Sequence, residues 1–247
     1  MTINGVCISS TSDEHGPIYV YQTRTSRVLS FNTVVQQSSM KLDDINGLAH
    51  GYTQAMMSGL LFIPDVFTAT IMGLGAGSMA KNLLNSFPSL EVHAIEYRQA
   101  VVNVAIKYFH LPDDDRLTIH IADAAQYMKD NRIKSDIIFS DLYTMDGMES
   151  KQVHANYLYD CKKALNKHGV LVLNIWQEAL KTPEALEEGL SSVFKNRLLR
   201  FDVESGNTII LAFRNDIPVM KRKELLARAK VLQDKMNIPL VRHAKLL

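Results

Sequence analysis

From Thr68 onward, short apolar runs alternate with stretches whose apolar residues recur at helical spacing. TATIMGLGAG reads as a buried strand entering a glycine turn, and SMAKNLLNSF as the helix after it. EVHAIE and QAVVNVAIKYF repeat the unit. RLTIHIAD, SDIIFSDL and GVLVLNIW are further strands, with helices predicted at about 123–130, 151–166 and 182–195. RLLRFDV and NTIILAF, joined by Glu204-Ser205-Gly206, complete a seven-stranded sheet as an antiparallel hairpin at its edge. Repeated βα units imply a parallel sheet covered on both faces, because right-handed crossovers place helices there. The predicted fold class is therefore α/β.

Residues 1–60 carry a different pattern. In IYVYQTRTSRVLSFNTVV, two runs rich in Val, Ile, Tyr, Phe and Thr flank the polar Thr23 to Arg27, which predicts a β-hairpin. Gln36 to Asn46 reads as a polar link into LAHGYTQAMMSGLLF, where Leu48, Tyr52, Ala55, Met56 and Leu60 have helical spacing. Beyond Pro218, VMKRKELLARAKVLQDKM carries a narrow stripe of Leu225, Leu226, Ala229 and Leu232, suited to capping the sheet or contacting another subunit. Three parts follow: a small N-terminal β-rich unit with a linking helix over 1–60, an α/β domain over 61–218, and a basic helical tail over 219–247.

Charge divides the same way. The 27 Lys plus Arg and 26 Asp plus Glu leave +1 for the whole chain, but the tail alone carries eight basic against two acidic residues. The remainder is −5. A protein that binds nucleic acid chiefly through its phosphates needs a large cationic excess, so the body is not a general polyanion binder. Cys7 and Cys161 are too few for a disulfide scaffold, and no Cys/His spacing suits a metal. The N-terminus has no basic segment followed by an apolar core. The most apolar stretch, 60–76, is broken by Pro64, Asp65, Thr68, Thr70 and glycines, short of a membrane span. A cytoplasmic protein with no membrane contact and reduced thiols is expected.

The strongest chemical signal is Gly73-Leu74-Gly75-Ala76-Gly77-Ser78 between strand and helix, where glycines let a ligand approach backbone N–H groups at a helix N-terminus. A dinucleotide fingerprint would have its third glycine where Ser78 stands, which argues against a NAD enzyme; G-x-G-x-G suits a nucleoside carrying a methionine-derived tail. Glu96 ends the next strand, 23 positions after Gly73, where a carboxylate can accept both ribose hydroxyls. Asp123 ends the third strand and opens a helix. It could take an adenine N6 amine, with the Ala124 N–H near N1, though Asp is also a favoured N-cap. Asp141 follows IIFS, where a carboxylate could orient or deprotonate an amine, or close an Asx-turn. Asn174 and Trp176, at the end of GVLVLNIW, border the same rim.

IMGLGAGSMAKNLL, AIEYRQAVVNVAIKYF, LPDDDRLTIHIADAAQYM, SDIIFSDLY and GVLVLN together resemble the core of the spermidine/spermine synthase family, aminopropyltransferases on a Rossmann-like, class I methyltransferase-like fold. The resemblance covers roughly residues 28–213, and DDDRL is similar to the family's DDPRV. It implies that Gly73, Gly75 and Gly77 hold the methionine-derived tail of S-adenosylmethionine or its decarboxylated form, a cosubstrate rather than a tightly bound cofactor. Glu96 would then hold the ribose, Asp123 and Ala124 the adenine, and Asp141 would be catalytic. Gln36/Gln37 and Tyr52-Thr53-Gln54 resemble the family's Gln and its downstream Tyr-x-Glu. Gln37 is thereby assigned to the nucleoside, and Tyr52, Tyr143 and Asp146 to the acceptor. The implied partners are a small-molecule amine and a second subunit in a homodimer.

The departures concern charge. Ala76 stands where the family's GGGDGG has a carboxylate for the amine of the decarboxylated nucleoside. Thr144 replaces the second aspartate of its DxxDP, no proline follows, Asp146 lies two positions later, and Gln54 replaces a glutamate. An ammonium taken from water without a partner costs several kcal/mol, so the nucleoside site is kept while the polyamine site is altered. Three readings follow: aminopropyl transfer to an amine, methyl transfer on the same scaffold, and a non-catalytic binding protein that kept the fold.

Overall fold

The computed structural model describes residues 3–31, 36–144, 147–180 and 182–247. At the N-terminus, strands β1 (Val6–Asp13), β2 (Gly16–Gln22), β3 (Ser26–Ser30) and β4 (Ser38–Lys41) form an antiparallel sheet in chain order. The predicted hairpin is β2–β3; β1 and β4 are additions. β1 has mostly exposed residues and is held by pairing with β2, so burial wrote no period-two pattern into it. β4 lies inside the stretch read as a polar link, and only Met40 there signals a core position. The predicted helix from Leu48 to Phe62 is α-helical only over α1 (Gly51–Met56) and tightens to a 3-10 turn over Met57–Phe62.

The body alternates β5 (Thr68–Met72), α2 (Ser78–Ser86), β6 (Glu91–Glu96), α3 (Gln99–Phe109), β7 (Leu117–Ile121), α4 (Ala124–Asp130) and β8 (Ser135–Ser140). A two-residue pair, β9 (Tyr143–Thr144) and β10 (Gly147–Met148), follows, then a 3-10 turn at Ser150–Val153. Next come α5 (Ala155–Ala164), β11 (Leu165–Trp176), α6 (Pro183–Phe194), β12 (Leu198–Val203), β13 (Asn207–Phe213), α7 (Arg222–Met236) and α8 (Leu240–Ala244). The seven strands lie in the order β12-β13-β11-β8-β5-β6-β7. β13 is antiparallel to both its neighbours, so the predicted terminal hairpin does form one edge. The order is that of a class I methyltransferase-like sheet.

Both faces of the sheet are apolar. Ile137, Phe139, Ile209 and Leu211 face one core with Leu83 and Leu61, while Ile138, Ile210 and Leu173 face the other with Leu158 and Leu190. Alternate residues of one strand thus feed opposite cores. Leu225, Ala229, Leu232 and Met236 of α7 are buried in the first core, and Asn82 Nδ2 donates to the Met236 carbonyl at 3.1 Å. The tail's stripe is used within the chain, with Leu226 half-buried beside it.

The N-terminal sheet docks on α3 through Ile18, Val20, Leu29 and Met40 against Val101, Val104 and Phe109. Arg98 fixes the contact. Its guanidinium grips Asp13 in a two-pronged pair (2.6 and 3.0 Å), donates to Gly16 O at 2.7 Å and lies over the Phe31 ring. Only 7% of the Arg98 side chain is exposed, so this pair is worth more than a surface bridge. Arg116 of the DDDRL stretch pairs with Asp114 and donates to the carbonyls of Leu84, Phe87 and Pro88, tying off the end of α2. No helix among the described residues is long and apolar enough to cross a membrane.

Candidate active site

A crevice of about 1070 Å³ opens at the carboxyl ends of the parallel strands, where open α/β sheets bind ligands, and the N-terminal sheet forms its far wall. Backbone bonds continue the sheet beyond the strands: Gly73 N to Ile95 O, Asp141 N to Met72 O and Ala122 N to Glu96 O, each 3.0 Å. Glycine loop, Glu96, Asp123 and Asp141 are therefore set by the sheet itself.

Gly73 has φ +92°, and a Cβ there would collide with the Asp141 carbonyl. Only glycine lets the loop pass that close, which couples the loop to Asp141. Gly75 also lines the crevice; its N–H donates to Glu96 Oε2 at 3.2 Å. Gly77 is outside the crevice wall. It caps α2 at φ +74°, packed so that a Cβ would strike Leu111, so the turn itself requires glycine there. Ala76 is fully buried against the N-terminal sheet and does not line the crevice either.

Glu96 is 8% exposed. Burial raises its pKa, opposed by the N–H groups of Arg98, Gly75, Tyr97 and Leu74, which favour the carboxylate. Asp123 is the N-cap of α4: Oδ1 accepts from Gln126 N at 3.0 Å, while Oδ2 pairs with Lys151 at 2.7 Å. Burial pushes its pKa up, but Lys151 and the helix N–H groups outweigh that and leave it below the usual range. Ala124 lines the wall beside it, and so does Gln37, whose N–H donates to Leu29 O at 2.9 Å.

Asp141 lies across the crevice from this group, and burial pushes its pKa up to about 6 despite hydrogen bonds from Asn174 and the Tyr52 hydroxyl. Asn174 Nδ2 donates to Asp141 at 2.8 Å; its Oδ1 accepts from Asn207 Nδ2 at 2.9 Å, and Asn207 Oδ1 accepts from Ser205 at 2.6 Å. This chain fixes both amide orientations and aims the carboxylate. The Tyr143 hydroxyl donates to Asn174 O at 3.4 Å, and burial raises the pKa of both Tyr143 and Tyr52 far above the ordinary tyrosine value. His50 stacks on Tyr52, bonds Ser39 Oγ at 3.0 Å, and is held toward its neutral form by burial.

The structure thus gathers Gln37, Tyr52, Gly73, Gly75, Glu96, Asp123, Ala124, Asp141 and Tyr143 in one crevice, with Asn174 and Trp176 on its rim. Asp146 lies outside the described residues. Gln54 points away, its amide donating to Leu48 O at 2.8 Å. Sequence reading missed Asn207, Ser205, Lys151 and Arg98. Asn207 begins an apolar strand far along the chain, and Lys151 stands in a polar turn, so no local pattern marks them. Among the described residues no cluster of His, Cys, Asp and Glu could hold a metal ion.

A spermine/spermidine synthase domain matches residues 50–197. A polyamine aminopropyltransferase of Neisseria meningitidis is 32% identical over 213 residues, covering 84% of this chain and 80% of the relative. A probable spermidine synthase from Corynebacterium glutamicum superposes with a TM-score of 0.75 at 19% identity, over 91% of this chain and 86% of that one. Human methyltransferase-like protein 13, solved with SAH, superposes at 0.68 and 23% identity, over 77% and 94%. The sheet order, the glycine loop and the carboxylates at its strand ends accord with these matches, and the chain belongs to the spermine/spermidine synthase family of transferases.

Proposed function

We propose that the crevice binds a sulfonium nucleoside, S-adenosylmethionine or its decarboxylated form, and transfers an alkyl group, first an aminopropyl group, to an amine. One observation carries the reading. β8, β5, β6 and β7 are neighbours in the sheet, and their ends present Asp141, the glycine loop, Glu96 and Asp123 in that order. That is the order amine, tail, ribose and base along such a nucleoside beside its acceptor. Glu96 would accept the ribose hydroxyls, while Asp123 and Ala124 N–H would meet the adenine edge. Gln37 and the Gly75 region would hold the tail, with Tyr52 and Tyr143 flanking the incoming amine.

In the reaction, the amine nitrogen's lone pair forms a bond to the carbon beside the sulfonium. The carbon–sulfur bond breaks and its electron pair returns to sulfur, so methylthioadenosine leaves as a neutral thioether. The amine's proton passes to Asp141, which with a pKa near 6 is ionised at neutral pH and close enough to that pH to accept it. Orientation supplies the rest of the rate.

Methyl transfer is the second reading. Ala76 faces away from the crevice, and Gln36, Gln37, Ser38 and His50 by the loop bring no carboxylate. With the Glu96 carboxylate assigned to the ribose, the zwitterionic tail of S-adenosylmethionine suits those neutral groups better than a bare ammonium. Calorimetry with both nucleosides tests the assignment: tighter binding of the decarboxylated form, with methylthioadenosine and an alkylated amine as products, is the expected result. Tighter binding of S-adenosylmethionine would move the reading to methyl transfer. If neither nucleoside raises the melting temperature at millimolar concentration, the site is no nucleoside site.

A further inference from the structure

The hydrogen bonds behind Asp141 have a direction. An ionised carboxylate only accepts, so the Asn174 amide turns its Nδ2 to Asp141 and its Oδ1 the other way, onto Asn207. Asn207 must then present its own Nδ2 to Asn174 and its Oδ1 to Ser205, whose hydroxyl can serve either kind of partner. The Asn207 side chain also donates to the Tyr143 hydroxyl, which in turn donates to the Asn174 carbonyl. One side chain thus meets both the amide that orients Asp141 and the tyrosine beside it.

Backbone pairing on two sides holds Asn207 in place. It opens β13 opposite Trp176 of β11 and Val203 of β12, and the carbonyl of the preceding Gly206 accepts from Gln177 N at 3.2 Å. Asn174 is 1% exposed and Asn207 7%, so little water reaches either amide to replace a lost partner.

This arrangement distinguishes the two states of Asp141. The carboxylate takes the Asn174 N–H. A protonated Asp141 gains the Asn174 oxygen as an acceptor for its O–H only if that amide turns round, and Asn207 opposes the turn by donating to the same oxygen.

We propose that Asn207 is a positioning residue: by donating to Asn174 and Tyr143 it locks the Asn174 N–H toward Asp141 and so keeps Asp141 in its ionised, proton-accepting form. The inference rests on the reading of Asp141 as the base of the transfer, while the lock itself is a property of the chain without ligand.

The test is a carbon-13 NMR titration of the Asp141 carboxyl in the full chain, without ligand, from about pH 4 to pH 8. Tyr52 from α1 and Tyr143 from β9 face Asp141 and stay neutral over this range, both held far above the ordinary tyrosine value by burial. His50 stacks on Tyr52, and Glu149, Lys151 and Glu178 line the same crevice, so the Asp141 signal is identified by its loss in Asp141→Asn. Asn207→Leu frees the Asn174 amide to turn, and Asn207→Asp demands its N–H and forces the turn. The expected midpoints rise in that order, the aspartate variant by about 1–2 pH units, the worth of one hydrogen bond to a charge. The acidic limb of kcat should move with them, whereas a packing role alone would lower kcat and leave the limb in place. Midpoints within about 0.3 pH unit of the unmodified protein in both variants overturn the proposal. If neither variant folds, the Asn207 side-chain N–H signals of the unmodified protein decide: they should shift with the Asp141 midpoint, and constancy across the range overturns the lock. If neither nucleoside binds, the transferase reading falls separately and the titration still decides whether Asn207 governs Asp141.

Discussion

The two halves of the crevice are built by different means. On the nucleoside side, the carboxylates engage backbone: Glu96 takes N–H groups of the glycine loop and of Arg98, and Asp123 caps α4. On the acceptor side the sheet sets the Asp141 backbone, but its carboxylate is held by side chains from three distant segments, with Tyr52 on α1, Asn174 on β11, and Ser205 and Asn207 where the β12–β13 turn enters β13. A backbone-built half keeps its geometry as long as the sheet forms. A half built from side chains can change its specificity with a few substitutions, without disturbing the sheet.

The largest separation of the halves is expected from Asp141→Asn. Turnover should fall by about 10²–10⁴, the usual share of a positioned base, while nucleoside affinity stays within about threefold. Equal loss of both, measured by steady-state rates and by calorimetry, would merge the halves. The same variant reports on the buried charge. The Asp141 pKa stands near 6 in the folded chain against 3.8 for a free carboxyl, so its protonated form stabilises the fold below about pH 4 and that stability is lost as pH rises through 6. Asparagine should therefore stabilise the fold above pH 6, by about 3 kcal/mol at most and visible as a higher melting temperature, and confer nothing below pH 4. Turnover of the unmodified protein should fall as pH drops through 6, as Asp141 takes a proton.

The nucleoside half is probed by Glu96→Gln, which keeps the shape and removes the charge. A charge-assisted hydrogen bond contributes about 1.5–3 kcal/mol, so nucleoside binding should weaken by about ten- to a hundredfold, with kcat at saturating nucleoside little altered. A large fall in kcat with unchanged affinity would place Glu96 in the chemistry and break the division.

The difference also explains what could be read from sequence. Strand ends carry their signal locally: an apolar run, then a glycine or carboxylate, is visible at Gly73, Glu96, Asp123 and Asp141 in one pass along the chain. The seven-stranded sheet was legible for the same reason, since both faces are buried and the runs are continuous. β1 was not, because its stability comes from pairing with β2 and leaves Val6 70% exposed. Asn207 was hidden because a polar residue at the start of an apolar strand has no local signature, and only the antiparallel register that sets it opposite Trp176 brings it near Asn174. Gly77 was legible as part of a motif, but spacing alone does not show that it also turns the chain past Leu111.

A side-chain pair also crosses the seam between the halves, and it should give the smallest effect. Lys151 follows the segment that carries Asp141, yet its ammonium sits on Asp123, the base end of the nucleoside half. Both side chains are substantially exposed, 55% and 35%, so the pair should matter to stability by no more than about 1 kcal/mol. Its effect on binding has a definite sign. An adenine amine needs an Asp123 oxygen, and Lys151 holds one of the two, so Lys151→Met should tighten nucleoside binding a few-fold. That gain should shrink as added salt screens the pair in the unmodified protein. A loss of affinity in this variant, measured by titration with methylthioadenosine at low and high salt, would mean that the lysine touches the ligand. The nucleoside half would then no longer be built by the strand ends alone, and a side chain from the acceptor segment would share in setting the base.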